Sequence, residues 1–385
     1  MSKKKTPAIR FKGFTDDWEQ RLLENEININ SGKDYKHLDK GTIPVYGTGG
    51  YLLSVNQALS DNQDAIGIGR KGTINKPYIL PAPFWTVDTL FYAIPIKQNN
   101  LQFFLEIFKK IDWSKKDEST GVPSLSKTSI KKTTILVPAL KEQQKIGQYF
   151  KALDNLITLH QRKCEKLKIF KKAMLEKMFP KNNKKIPEVR FEGFTDAWEQ
   201  EQLENIGYFS KGKGYSKNNL QTKGIPIILY GRLYTQYQTL IRDVNTFVTP
   251  NNNSIYSIGN EVLIPASGET AEEIARASAI MEPDIIIGGD LNIIYPYDNI
   301  HSPFLAYIIS YGPIQKKLSQ KAQGKTIVHL HNYDLKKIHI LFPSIKEQVK
   351  ITSFLIKLDN LITLHQRKVE KLQIIKKSML EKMFV

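Results

Sequence analysis

The sequence contains a single cysteine, Cys164, among 385 residues. One cysteine cannot form a disulfide within the chain, and it excludes a zinc site built from paired cysteines. No apolar run approaches the length of a membrane span, and the lysine-rich start, MSKKKTP, lacks the apolar core of a secretory signal. We therefore expect a cytoplasmic protein that does not associate with membranes.

Motifs for catalysis are also missing. The GIGRKG segment (67–72) has the glycine spacing of a dinucleotide-binding fingerprint, but β-branched residues and Pro77 follow where a helix should begin. The GKT triplet (324–326) resembles the end of a phosphate-binding loop, yet Ser319 stands where such a loop needs its first glycine. Neither match predicts a nucleotide site.

Four further signatures are absent from the sequence: a histidine–carboxylate metal pattern, a nucleophile elbow, the Asn-Pro-Pro-aromatic signature of adenine methylation, and a nuclease carboxylate cluster. We therefore predict a chain without catalytic residues, without a metal site and without a cofactor of its own.

What the sequence has in excess is positive charge. Lysine and arginine number 56 against 38 acidic residues, a net charge of +18, which favours a polyanionic or acidic partner. Two segments concentrate it: residues 141–179 carry a net +6 and residues 346–385 a net +5.

These two basic segments are copies of each other. LDNLITLHQRK begins at Leu153 and again at Leu358, and the match extends to Phe179 and Phe384 with four substitutions. A front motif is also duplicated: RFKGFTDDWEQ begins at Arg10, and RFEGFTDAWEQ begins 180 residues later. Each half therefore consists of a front motif, a divergent domain and a long helix.

Apolar residues recur in each copy in alternating steps of four and three, which predicts a coiled-coil seam. Lys171 is the one break in the first copy. The predicted seam comprises Ile146, Phe150, Leu153, Ile157, His160, Cys164, Leu167, Met174 and Met178, and Ile351, Leu355, Leu358, Ile362, His365, Val369, Leu372, Met379 and Met383.

If packing between the helices were the only constraint, the residues outside the seam would have diverged between the two copies. Residues 161–163, 165 and 166 nevertheless have identical counterparts in the second copy. The neighbouring domains diverged over the same time. We infer that both helices present one surface to two copies of one partner. An antiparallel pair would generate a pseudo-twofold axis.

The divergent domains keep an order of landmarks. Tyr46-Gly47 corresponds to Tyr230-Gly231, Asp88 to Asp290, and a short helix over 101–111 to one over 303–318. Apolar β-branched runs and glycine turns predict a mixed α/β (α+β) fold for both. The predicted organisation is a first recognition domain over 1–140, a helix over 141–179, a linker over 180–187, a second domain over 188–345 and a helix over 346–385.

Loop residues with donors or aromatic rings are the candidates for contact with double-stranded DNA, through base edges or phosphates. Arg70 and Lys71 lie in a glycine turn from which a guanidinium can reach guanine. The full candidate set is Lys33, Tyr46, Thr48, Arg70, Lys71, Thr73, Lys211, Lys213, Tyr215, Tyr230, Arg232, Tyr234, Ser267, Thr270 and Lys325.

The duplicated front motifs, the segments VPALKEQQKI (137–146) and FPSIKEQVKI (342–351), and the two long helices together resemble the specificity subunit of type I restriction-modification systems. The resemblance covers essentially the whole chain. It implies two target recognition domains, each reading one half of a split DNA sequence, separated by an antiparallel helical spacer.

The resemblance also implies partners. Two methyltransferase subunits would bind along the helices, carry S-adenosylmethionine and methylate one adenine on each strand. Restriction subunits, with ATP and Mg, would join the full complex.

Two other classes of function stay open from the sequence. One is an enzyme that modifies or cleaves DNA with unrecognised acids, such as Asp88 and Asp290. The other is a bivalent DNA-binding scaffold that acts without a methyltransferase.

Overall fold

The computed structural model of the chain describes residues 6–96, 98–181, 184–322 and 327–385. Its residues form two compact units. The first comprises residues 1–163 with 365–385, and the second comprises residues 164–364. Each unit therefore contains part of both long helices.

The first unit is built on a four-stranded sheet in the order β2-β8-β5-β6, a three-stranded sheet in the order β4-β3-β7, and the antiparallel pair β1-β9. Its elements are β1 (Glu19–Leu22), β2 (Ile27–Ser31), β3 (Lys40–Gly47), β4 (Gly50–Val55), β5 (Ala65–Gly69), β6 (Tyr78–Leu80), β7 (Trp85–Thr86), β8 (Leu90–Pro95), α1 (Leu101–Lys110), α2 (Lys127–Lys131), β9 (Thr134–Val137) and the first part of α3 (Leu140–Lys177).

The second unit is built on a five-stranded sheet in the order β11-β20-β16-β18-β13, a four-stranded sheet in the order β14-β12-β19-β15, and the pairs β10-β22 and β17-β21. Its elements are β10 (Glu199–Gln202), β11 (Gly207–Lys211), β12 (Ile225–Ile228), α4 (Arg232–Thr235), β13 (Leu240–Ile241), β14 (Phe247–Val248), β15 (Tyr256–Ile258), β16 (Val262–Pro265), β17 (Ser267–Gly268), α5 (Ala271–Ile274), β18 (Ser278–Ile280), β19 (Pro283–Ile287), β20 (Leu291–Pro296), α6 (Ser302–Ser310), α7 (Gly312–Lys321), β21 (Val328–His329), α8 (Asn332–Lys336), β22 (His339–Phe342) and the first part of α9 (Ile345–Lys382).

The mixed α/β prediction is confirmed for both units, and so are the two long helices. α3 and α9 have 38 residues each, which corresponds to about 57 Å at 1.5 Å per residue. Within the first unit the helices run antiparallel, because His160 contacts His365 while the earlier residue Asp154 pairs with the later residue Lys376.

The predicted helix over 303–318 is wrong in one respect. The structure has two helices, α6 and α7, which are separated at Tyr311. Gly312 has a φ of +73°, a left-handed conformation that favours glycine, and Pro313 cannot donate a backbone hydrogen bond to continue α6.

The duplicated sequence motifs hold each domain to the start of its long helix. Arg10 of the front motif donates two hydrogen bonds of 2.7 Å to Glu142 in the first turn of α3. Arg190 binds Glu347 in the first turn of α9 in the same bidentate way, at 2.7 and 2.8 Å. Both glutamates are buried. The glutamate of the KEQ sequence shared by the two helix starts is therefore explained by an internal ion pair.

The tryptophan of each front motif lies in the hydrophobic core beside the end of a long helix. Trp18 packs edge-to-face against Phe384, and Trp198 packs edge-to-face against Phe179. Since both tryptophans are almost fully buried, the tryptophan of the motif WEQ has a structural role in both units.

No helix in the described ranges is both long and apolar enough to cross a membrane.

Candidate nucleic-acid interface

Main-chain hydrogen bonds join the turn that follows β5 in the first unit to two neighbouring loops. Arg70 N donates to Thr89 O at 2.8 Å, Leu125 N donates to Arg70 O at 2.8 Å, and Gly72 N donates to Pro123 O at 2.8 Å. Gly72 has a φ of +93°, so the turn requires a residue that tolerates this conformation. The turn and the loop before α2 therefore form one surface.

The side chains of this turn are available to a ligand. Arg70, Lys71 and Thr73 are all exposed. The Arg70 guanidinium lies 6.0 Å from the centre of the Phe91 ring and makes one long bond of 3.4 Å to Asp88 O. Most of its donors are consequently free.

The second unit repeats the same hydrogen-bonded frame with different residues. Ala266 N donates to Asp290 O at 2.8 Å, and Leu330 N donates to Ala266 O at 3.0 Å. Ser267 pairs with His329 in the second unit as Lys71 pairs with Ser124 in the first. Arg70 and Lys71 thus correspond to Ala266 and Ser267, and the basic turn of the first unit has no basic counterpart here.

This frame corrects one correspondence. The segment that carries Ser267 and Thr270 forms strand β17 followed by helix α5, whose N-cap is Thr270. Asp290 occupies the position of Thr89, because their carbonyls accept from Ala266 N and Arg70 N respectively. Asp88 and Asp290 therefore do not occupy matched positions, and the pairing that suggested an enzyme was wrong.

Lys33 and Lys213 are a matched pair of exposed cations. Lys33 N donates to Thr86 O, and Lys213 N donates to Ile287 O. The preceding residue is glycine in both units because a Cβ there would lie 2.0 Å from Val87 O in the first and 1.9 Å from Gly288 O in the second. The close backbone approach fixes where each lysine emerges.

Tyr46 and Thr48 lie at the tip of the β3-β4 hairpin. The Tyr46 ring packs edge-to-face against Tyr51 and Tyr78, with centroids 6.5 and 6.2 Å away. Thr48 Oγ1 lies 4.0 Å from where a Cβ on Gly72 would be. The structure therefore brings this hairpin tip and the basic turn together.

Arg232 is placed differently from Arg70. Its guanidinium donates to Gln236 and Asn245, at 3.2 and 3.1 Å, and to Asp243 O at 2.8 Å. Burial lowers the pKa of Arg232. Contact with a base would require breaking these bonds, so Arg232 is better placed to hold its own loop.

The aromatic candidates of the second unit are partly engaged. Tyr234 donates to Ser267 O at 2.7 Å, and burial raises its pKa. The Tyr215 hydroxyl accepts from Asn251 N at 2.9 Å. Tyr230 is exposed and packs edge-to-face against Tyr234. Lys325 lies outside the described residues.

The sequence reasoning missed an exposed row of three stacked rings in the second unit. His329 and His331 are parallel within 2° at a centroid distance of 6.1 Å, and Tyr333 continues the row at 5.9 Å. Asn332 Nδ2 donates to Ser210 O, which ties the row to the strand end that carries the exposed Lys211. The alternation in HLH (329–331) was the available signal for the two histidines, since residues two apart share one face of an extended segment. Tyr333 lies in the first turn of α8.

The predicted seam residues face the interior of the helix pair in varying degrees. Ile146, Phe150, Leu153, Ile157 and Cys164 of α3 and Ile351, Leu355, Leu358 and Ile362 of α9 are buried, whereas His160, Leu167, His365 and Leu372 are partly buried.

The lysine that breaks the seam has a polar partner in both units. Lys376 binds Asp154 at 2.6 Å in the first unit, and Lys171 binds Asp359 at 2.6 Å in the second. These are the same two residues of the repeat with the helices exchanged. The break is a specific polar contact between α3 and α9.

Each domain presents a different residue to this pair. Glu106 of α1 is buried and lies 3.4 Å from Lys376 and 2.8 Å from Lys109, forming a partly buried network of two acids and two lysines. Burial opposes the charge on Lys376, but its bond to Asp154 and the charge of Glu106 outweigh burial and raise its pKa.

In the second unit Tyr307 of α6 takes the place of Glu106, six residues after the N-cap in both helices. Its hydroxyl donates to Asp359 at 2.6 Å, and Lys171 lies 5.4 Å from the centre of its ring. Burial and the charge of Asp359 raise the pKa of Tyr307.

Within the described ranges, no group of three or more His, Cys, Asp or Glu side chains is placed to hold a metal ion. The interface is therefore defined by cations, hydroxyls and aromatic rings on rewritten loops around a shared main-chain frame.

A family model described as "Type I restriction modification DNA specificity domain" matches residues 15–168 and 195–373, which is most of the chain and both copies of the repeat. The chain belongs to this DNA specificity family. Specificity subunits of the family are the non-catalytic, DNA-recognising components of assemblies that also contain modification and restriction subunits.

Individual relatives agree with this membership. The chain is 23% identical over 333 residues to the type I restriction enzyme MjaVIII specificity subunit of Methanocaldococcus jannaschii, covering 83% of this chain and 75% of the relative. It is 24% identical over 269 residues to the putative MjaX specificity subunit of the same organism, covering 67% and 60%.

A solved structure shares the fold over the whole length. The crystal structure of the type I restriction-modification system S subunit from M. genitalium matches with a TM-score of 0.70 at 14% identity, covering 99% of each chain. The specificity family thus accounts for the sequence repeat and for the architecture of both units.

Proposed function

We propose that each unit reads one half of a bipartite, asymmetric DNA sequence, and that the two long helices dock two methyltransferase subunits and set the spacing of the half-sites. The contrast between the nearly identical outer faces of the duplicated helix stretches and the rewritten loops of the two frames carries this proposal. A repeated surface suits two copies of one partner, and unlike loops suit two different half-sites.

The outer faces have the composition of a docking surface. Leu156, Leu159 and Ile169 of α3 are exposed, and their α9 counterparts Leu361, Leu364 and Ile374 are exposed as well. Identical exposed polar residues surround them: Gln161, Arg162, Lys163, Glu165 and Lys166 on α3, and Gln366, Arg367, Lys368, Glu370 and Lys371 on α9. Apolar contacts bordered by charges are typical of protein interfaces.

On this proposal the chain binds no cofactor itself. The partner subunits supply S-adenosylmethionine for adenine methylation, and ATP with Mg for restriction. The chain supplies the sequence choice and the geometry.

The test is co-expression with a methyltransferase subunit, followed by mass measurement of the intact complex and mapping of methylated adenines. We expect two methyltransferase copies per chain. Leu159→Asp should remove one copy, and combining it with Leu364→Asp should remove both, because a charge replaces an exposed apolar contact on each helix.

Lys151→Asp, an exposed change on the same helix just before the duplicated stretch 153–179, is the matched control and should keep both copies. Methyl transfer or cleavage by the purified chain alone would contradict the proposal in favour of an enzyme. Specific DNA binding without any methyltransferase contact would favour a stand-alone scaffold.

A further inference from the structure

Both units expose a branched aliphatic side chain at equivalent positions. Each lies beside the turn that follows β5 in the first unit or β16 in the second, which we call the reading turn. Val122 and Ile327 are each 56% exposed. Val122 precedes Pro123, whose carbonyl binds Gly72 N. Ile327 precedes Val328, which pairs with Gly268 in the equivalent ladder. Each side chain thus lies directly beside a residue that makes a main-chain contact with the turn.

A single exposed aliphatic residue is ordinary on a protein surface. The recurrence is informative here because the neighbouring frame positions changed in chemistry. Arg70 is replaced by Ala266, and Lys71 by Ser267. The aliphatic character of the exposed position before Pro123 or Val328 is nevertheless retained.

The surroundings favour DNA as the ligand of this position. In the first unit Lys71 and Ser124 form a directly opposed pair, which brings a cation within two residues of Val122 along the loop. In the second unit the opposed pair is Ser267 and His329, and His329 begins the exposed row of stacked rings.

The first of these loops is held in one shape before any ligand binds. Asp117 accepts hydrogen bonds from Ser124 N at 2.9 Å, from Ser119 Oγ at 2.8 Å and from Ser119 N at 3.0 Å. These bonds lower the pKa of Asp117. A preformed loop loses less conformational entropy on binding.

The chemistry of base edges decides what such a side chain can read. In the major groove the bases present hydrogen-bond donors and acceptors, and the C5-methyl group of thymine is the apolar group. An aliphatic side chain placed on a donor or acceptor would remove it from water without replacing its hydrogen bond. Contact with a thymine methyl has no such cost.

We propose that Val122 and Ile327 each contact the methyl group of a thymine in the half-site read by their own unit, and so help to determine specificity. The inference rests on the proposed function, in which each unit reads one half-site.

The test uses the complex of the full chain with its methyltransferase, bound to duplexes that carry the mapped target. Each thymine of the target is replaced in turn by uracil, which lacks only the methyl group. We expect one replacement in each half-site to weaken binding roughly fourfold, as for the loss of one buried methyl group.

Val122→Ala should weaken binding to the thymine duplex and abolish the effect of uracil in one half-site only. Ile327→Ala should do the same in the other half-site only. Each variant is therefore the control for the other, and Val122→Ile should keep the sensitivity.

Target-selective binding without a uracil effect that depends on Val122 or Ile327 would overturn the inference and leave the proposed function intact. A mapped half-site without thymine on either strand would overturn it for that unit. Loss of target selectivity in the wild-type complex would overturn both.

Discussion

The imidazole of His160 lies against that of His365, its own counterpart in the sequence repeat, with the two Nδ1 atoms 2.8 Å apart. At this distance one Nδ1 donates and the other accepts, so the contact exists only while at least one ring is neutral. Burial, the facing His160 and the nearby Lys163 and Lys368 lower the pKa of His365 below its ordinary value of 6.5.

This pair makes the helix contact sensitive to acid. The lowered pKa means that His365 takes up a proton less readily in the folded chain than in the unfolded chain. The contribution of the pair to stability is therefore complete above pH 6.5 and decreases as the pH falls below it. We expect the thermal midpoint to fall between pH 7 and pH 5 and to fall less in the double variant His160→Asn with His365→Asn. Parallel curves for both proteins would contradict this assignment.

The buried pair of Arg10 and Glu142 should be important for stability. Arg10→Ala leaves a carboxylate that is 1% exposed without its partner, and such a change costs about 3–5 kcal/mol. Lys168→Ala, which breaks an exposed pair with Glu165, should cost under about 1 kcal/mol. Urea unfolding of the two variants measures the difference, and equal midpoints would show that the buried pair has no special role.

The basic turn should act on one half-site. Arg70→Ala should reduce discrimination in one half of the target by about 1–3 kcal/mol if the guanidinium meets guanine, and leave the other half unchanged. Lys71→Ala should instead lower the salt dependence of binding by about one unit of slope if it neutralises a phosphate. Binding titrations over a range of salt concentrations on targets altered in either half distinguish these roles, and uniform loss on every target would make Arg70 a phosphate contact.

The length of the helices should determine the spacing of the target. Removing one heptad from both α3 and α9 shortens each by about 10 Å, roughly three base pairs along a duplex. We expect the mapped methylation sites to move together by that amount or recognition to be lost. A heptad exchange of equal length keeps the number of residues and serves as the control, and unchanged spacing after the deletion would refute the proposal.

The long helices were predictable because their apolar period is local and repeats over ten turns. The helix break at Gly312-Pro313 carried a local signal too, but apolar residues on both sides masked it. The frame around the reading turns was not predictable, since its bonds join residues far apart in the chain, such as Leu125 to Arg70. For the same reason Asp290 was matched to Asp88 when its true counterpart is Thr89.

The candidate site was likewise predictable from the sequence only in part. A lysine after a required glycine is visible in the sequence as Gly32-Lys33 and Gly212-Lys213. Whether a side chain is free is not visible, because the bonds that occupy Arg232 come from loop residues up to 13 positions away. The contacts of the candidate residues with DNA stay predictions until a complex with DNA is examined.

The polar pair that recurs where the helices meet each domain restricts which domains this scaffold accepts. Asp154 and Lys376 already neutralise each other, and Glu106 arrives together with Lys109, while Tyr307 arrives without charge. Both domains therefore bring zero net charge to this position, and we expect the same of any replacement domain. Evolution can therefore exchange a whole recognition domain without altering α3 and α9, provided that no unbalanced charge is buried where the domain contacts the helices.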